Sequence, residues 1–158
     1  MPRPITVDGG RYKFALDLRL GTLRRIQGAL GIDILNPFDG DPPLIARLGT
    51  DAGLIIDCVW VAVERDAKAA GLADAQAFLD AMSASEAAAV VTAWQEELES
   101  FFHQLGRREL VAAMRKQAVL MAAGMRIAVE RVEAMELPEM PGTTSTAPPA
   151  SSALTPPA

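Results

Sequence analysis

Hydrophobic and polar positions change their period several times along the chain, and each change marks a boundary. Ile5 and Val7 are followed by Asp8-Gly9-Gly10 and then by Tyr12, Phe14 and Leu16, with Lys13 and Asp17 interleaved. A period of two around a turn that tolerates positive φ predicts a short β-hairpin with Tyr12, Phe14 and Leu16 on one face. Two strands alone are only marginally stable, so helices must cover that face.

Near Thr22 the period lengthens. Leu23, Ile26 and Leu30 recur at helical spacing, and the short amphipathic helix they predict ends at Gly31. Residues 32–43 contain three prolines and several turn formers, which exclude continuous helix. A helical turn is predicted from Leu44 to Leu48, with Asp41 near its N-cap and Gly49 as its stop. From Asp51 to Ala70 the chain is apolar nearly all round and interrupted by Asp57, which predicts a central helix ending at Gly71. A shorter helix follows from Ala73 to Met82, with Phe78, Leu79 and Met82 inward. Ser83-Ala84-Ser85-Glu86 matches a capping box and predicts a helix start at Ser83. Its apolar stripe runs through Ala87, Val90, Val91, Trp94, Leu98, Phe101, Phe102 and Leu105.

Beyond Gly106 lies the most regular pattern in the chain. Val111, Met114, Ala118, Met121, Met125, Ala128, Val132 and Met135 are spaced alternately by three and four residues, an a/d seam over four heptads. Half of these positions are Met, whose flexible thioether adapts to irregular surfaces. A helix of about 30 residues is roughly 45 Å long, more than a body of about 100 residues covers with ease. The seam residues Val111, Met114, Ala118, Met121, Met125, Val132 and Met135 are therefore the candidate partner-binding set. The competing reading packs the seam against the bundle.

The predicted organisation is mainly α: a compact helical bundle with an N-terminal β-hairpin over 1–106, a long Met-rich helix over 107–137, and a disordered Pro/Ser/Thr/Ala tail over 138–158. The tail has a single charged residue, Glu139, and too little apolar surface to offset its ordering entropy. Composition agrees with helix packing, since half of the 158 residues are hydrophobic but only 5% are aromatic.

Charge and chemistry narrow the function classes. The net charge is −5, and Lys plus Arg against Asp plus Glu is 7 to 5 over residues 1–50, 2 to 10 over 51–106 and 6 to 5 over 107–158. An acidic middle disfavours binding to a phosphate backbone. Apolar runs are broken by charge before membrane-span length, and no signal-peptide run opens the chain, so a cytoplasmic protein without membrane contact is expected. One cysteine, Cys58, and one histidine, His103, leave no disulfide framework and no usual metal set. Cys58 reads as a small core residue, Asp57 as a carboxylate that faces a polar groove or caps a neighbouring loop, and His103 as a helix-end residue without a nucleophile to serve. Asp8-Gly9-Gly10 lacks the Gly-Lys-Ser/Thr of a phosphate loop, and Asp39-Gly40-Asp41 is too short for a calcium loop. Neither catalysis nor a cofactor is expected.

The order of features resembles the small tail assembly chaperones of siphophages and prophages. The residues that carry the resemblance are Tyr12-Lys13-Phe14-Ala15-Leu16 leading into Leu23-Arg24-Arg25-Ile26, the Gly31-Ile32-Asp33-Ile34-Leu35 step, Leu54-Ile55-Ile56-Asp57-Cys58-Val59-Trp60, Ala69-Ala70-Gly71, Phe78-Leu79, and Glu97-Leu98-Glu99-Ser100-Phe101-Phe102 before Arg107-Arg108. It covers about residues 5–110. The resemblance implies a non-enzymatic partner of the tape-measure protein that keeps this long apolar client soluble while tail-tube subunits polymerise, and that is absent from the finished virion. The tail-tube protein and a second copy of the chain are further candidate partners. The alternative is a virion structural protein, a tail or head-completion subunit. A helical transcriptional regulator is suggested only by Arg24-Arg25 and Arg107-Arg108.

Overall fold

Alternation at the N-terminus produces the expected hairpin in the computed structural model, which describes residues 2–134. Strand β1 (Arg3–Val7) pairs antiparallel with β2 (Tyr12–Leu16) in a register that sets Ile5 opposite Phe14 and Val7 opposite Tyr12. Asp8, Gly9 and Gly10 all adopt positive φ in the connecting turn, which is inexpensive for Gly and tolerated by Asp. Ile5, Val7, Phe14 and Leu16 are buried, so one face of the ribbon is part of the core.

Six helices complete the described chain: α1 (Leu20–Leu30), α2 (Leu44–Thr50), α3 (Ala52–Ala69), α4 (Ala75–Asp80), α5 (Ala84–Gln104) and α6 (Arg108–Ala134). The fold is mainly α, a helical bundle with an N-terminal hairpin and a long last helix. The hairpin lies on α3 and α5, α1 and α4 pack on α3, and α2 bridges α3 to α6. Helix α3 is central, with Ile55, Ile56, Cys58, Val59, Trp60, Val61 and Val63 buried on several sides, as its nearly all-round apolar sequence requires. Trp60 meets Phe78 of α4 at 5.5 Å between ring centroids, and Phe78 in turn meets Phe14 of β2 at 6.2 Å. These aromatic contacts tie hairpin, central helix and α4 into one core.

The helix ends follow local chemistry. Asp51 caps α3 by accepting from the Leu54 N–H, and Asp74 caps α4 through the Ala77 N–H. Ser83 and Glu86 form the expected capping box at α5. Glu86 also accepts from the Gly9 N–H at 2.8 Å, while the Asp8 N–H donates to the Ala81 carbonyl at 2.9 Å. The hairpin turn is thus fastened to the start of α5, and these hydrogen bonds hold the Glu86 carboxyl below its ordinary pKa, those from Ser83 contributing most.

Four local expectations need correction. Helix α2 is preceded by Pro43 and has no side-chain cap from Asp41. Gly49 lies inside α2 rather than ending it, for a reason that α6 supplies below. Leu79 is on the exposed side of α4, because a six-residue helix seated by Phe78 has only one buried position. Leu105 is also exposed, since α5 ends at Gln104 and the backbone turns at Gly106, where φ is +76°. The predicted tail, residues 138–158, lies outside the described residues, and so does Met135. No helix among the described residues is long and apolar enough to cross a membrane.

Candidate partner-binding surface

Of the chemistry-bearing residues weighed in the sequence, Asp57 and Cys58 are neighbours on α3, while His103 lies on α5. Cys58 is buried, and burial, with Asp57 adding to it, pushes its thiol up to about 12, far from a thiolate nucleophile. His103 is exposed in the last turn of α5, and Asp57 is half-buried on α3. Among the described residues no three His, Cys, Asp or Glu side chains are grouped to hold a metal ion.

Helix α6 divides its seam in two. Leu110 and Val111 are buried in the body, and Met114 packs against the core as a partly buried residue. Arg115 forms an ion pair with Glu99 of α5, and Met121 is half-buried over α2. Gly49 explains that last contact: a Cβ there would lie 2.6 Å from Met121 Sδ, so the glycine lets α2 and α6 approach closely. Ala118 is largely exposed but lines the groove between these helices. From this point the same stripe runs into solvent, with Met125 69% and Val132 70% exposed. The six candidate residues that the structure describes are therefore not one surface: Val111 is inside the bundle, Met114, Ala118 and Met121 border it, and Met125 and Val132 are exposed beyond it, while Met135 lies outside the described residues.

Two parts of this surface were not singled out in the sequence. Leu120 and Ile127, with Val119 nearby, form a second exposed apolar stripe roughly on the opposite side of α6 from Met125, Val129 and Val132. The seven-residue spacing of Leu120 and Ile127 was the available signal. The other is a groove of about 380 Å³ between α2, α5, α6 and the segment before α2, with Ile34, Ile45, Leu48, Trp94, Met114 and Met121 among its lining residues. Its volume falls in the range of ordinary ligand and side-chain pockets. Trp94 is buried, and among the described residues its indole N–H meets no hydrogen-bond acceptor.

Glu97 is the other residue that sequence reasoning missed. Val90, Trp94, Glu97 and Phe101 follow the 4-3-4 spacing of a seam, so a carboxylate occupies a core-facing position and is only 4% exposed. Arg3 of β1 reaches it, with Nε 3.9 Å from Oε2, and places a second nitrogen 3.0 Å from Glu96. The arrangement fastens β1 to α5 by charge. It offers no reacting partner.

What the geometry defines is a helical body with an apolar groove at the foot of a long helix whose outer half is apolar and uncovered. No family model matches the chain, and no curated protein or solved structure matches it.

Proposed function

We propose that this chain is a tail assembly chaperone of a siphophage or prophage, which binds the tape-measure protein, keeps it soluble and assists polymerisation of the tail tube. It acts in the host cytoplasm and leaves before the virion is complete. The observation that carries the reading is the outer half of α6, where Val119, Leu120, Met125, Ile127, Val129 and Val132 are all exposed. A helix apolar on two sides is stable in water only when something covers it, and a long helical client with apolar stripes is such a cover. The resemblance over residues 5–110 supplies the identity of the client.

Co-expression with the tape-measure protein tests the reading. The wild-type chain keeps the client in the soluble fraction and co-purifies with it, whereas a Met125→Asp/Val132→Asp variant, still folded, does neither. Unchanged client solubility with and without the wild-type chain would overturn the proposal, and so would recovery of the chain as a stoichiometric part of purified particles, which favours the alternative of a virion structural subunit.

A further inference from the structure

Coverage of α6 by the body ends near Met121, and a sulfur atom makes that contact. A Cβ on Gly49 would lie 2.6 Å from Met121 Sδ and 3.6 Å from its Cε, so the thioether occupies the space that a side chain on α2 would take. We propose that Met121 is an oxidation-sensitive latch: conversion of its thioether to the sulfoxide by a peroxide frees α6 from α2 and moves the start of the free helix inward, from Met121 to Arg115.

The chemistry is a two-electron oxygen transfer. The sulfur attacks one oxygen of hydrogen peroxide, an S–O bond forms as the O–O bond breaks, and the other oxygen leaves as water after taking up the proton of the first. Met121 is half-buried, so a molecule as small as the peroxide reaches its sulfur. The product no longer suits the contact, because a thioether is a weak acceptor and a sulfoxide oxygen a polar one that requires a donor. On the α2 side the groove presents Ile45, Leu48 and Gly49, and the Gln117 Cγ near the same point is aliphatic. Arg115 is already paired with Glu99. The oxygen is left unpaired against this wall or turns to water, and turning takes the sulfur off Gly49.

Seam spacing alone does not confer this role. Met125, one turn further along, is 69% exposed and oxidises more readily, but its oxygen meets water. Met114 packs against the core beside buried Leu110 and Val111, which continue to hold the foot of α6. Helix α2 stays seated through buried Leu44 and Leu48, so α6 is the helix released. The inference concerns the chain alone and stands apart from the identity of any client.

Titration of the full chain with hydrogen peroxide tests it, with peptide mass spectrometry locating each added oxygen and amide exchange reporting protection. Met125 takes up oxygen first, without a change in protection. When Met121 follows, protection over residues 117–122 falls at least about tenfold while residues 110–114 keep theirs, and a methionine sulfoxide reductase restores the loss. Met121→Leu keeps an apolar contact that cannot be oxidised, and its protection survives the same titration. Met82→Leu/Met114→Leu, which removes the other half-buried methionines, still shows the loss and carries the test if the first variant does not fold. A wild type oxidised at Met121 with protection intact overturns the proposal. So does a Met121→Leu chain that loses protection like the wild type, or a Met82→Leu/Met114→Leu chain that no longer loses it.

Discussion

The two halves of α6 carry one apolar stripe and meet opposite fates. In the inner half Leu110 and Val111 are buried, Met114 joins the core and Arg115 pairs with Glu99; in the outer half Met125, Val129 and Val132 continue the pattern but are exposed. Periodicity decides which side of a helix is adhesive, and the length of the body decides how much of that side is covered. Among the described residues the body meets α6 chiefly through α5 and the short α2, so coverage ends near Met121. Each large apolar side chain left beyond that point forgoes roughly 1.5–3 kcal/mol of burial. That unspent interaction is what a second molecule can collect.

The contrast predicts a gradient of mutational cost, steepest in the aromatic core of the body. Phe78→Ala, at a fully buried side chain touching both Trp60 and Phe14, is expected to cost about 3–5 kcal/mol in urea unfolding, because the cavity cannot be refilled from the surface. A cost near 1 kcal/mol would mean that the hairpin and α4 collapse readily onto α3, and the distinction between a pinned body and a free arm would lose its sharper side.

The foot of α6 comes next. Leu110→Ala removes a fully buried side chain and is expected to cost about 2–4 kcal/mol, lowering the same cooperative transition that Phe78→Ala lowers. If fluorescence of the two buried tryptophans, Trp60 and Trp94, and far-ultraviolet circular dichroism instead separate into two transitions, α6 unfolds apart from the body and the inner half is no more part of the core than the outer.

A smaller effect belongs to the fastening of hairpin to α5. Ser83→Ala removes the cap that receives the Glu86 N–H and is expected to cost about 1 kcal/mol. Glu86 adds a pH dependence whose sign is fixed by its lowered pKa: its contribution is complete above the unfolded value of 4.5 and is lost as the pH falls through the folded one. Glu86→Gln should therefore flatten part of the acid limb of a stability-against-pH curve measured from about pH 7 to about pH 3. An acid limb unchanged in that variant would show that the turn is not held through the ionised carboxylate.

How far this gradient could be read in advance differs between fold and surface. The hairpin, the capping box at Ser83, the central helix and the turn at Gly106 follow from period, capping chemistry and glycine placement, all local causes that a linear pattern carries. The limits of the a/d seam as an interface do not, because Val111 and Val132 are equivalent in spacing and differ only in whether α5 and α2 extend to meet them. Gly49 shows the same limit: its sequence context reads as a helix stop, while its role is the close approach of Met121, a contact over 70 residues away in the chain. Glu97 was legible as a seam position but not as a tolerated one, since its cation, Arg3, arrives from the other end of the molecule.

The smallest expected effect is the most telling. Val132→Ser and Met125→Ser change side chains that are about 70% exposed, so in dilute protein each should shift the unfolding free energy by no more than about 0.5 kcal/mol. Amide exchange should agree: protection is expected to be near the global value at Leu110 to Met114 and to fall toward the free-helix level from Met125 to Ala134, where an isolated helical end of this length is marginal by itself. The same two substitutions should sharply reduce any contact with a second copy or a client, because there the side chains pass from water to an apolar surface. A cost above about 1 kcal/mol in the dilute chain, or protection that stays high through Val132, would place the outer half against its own body and remove the difference between the two ends of the helix.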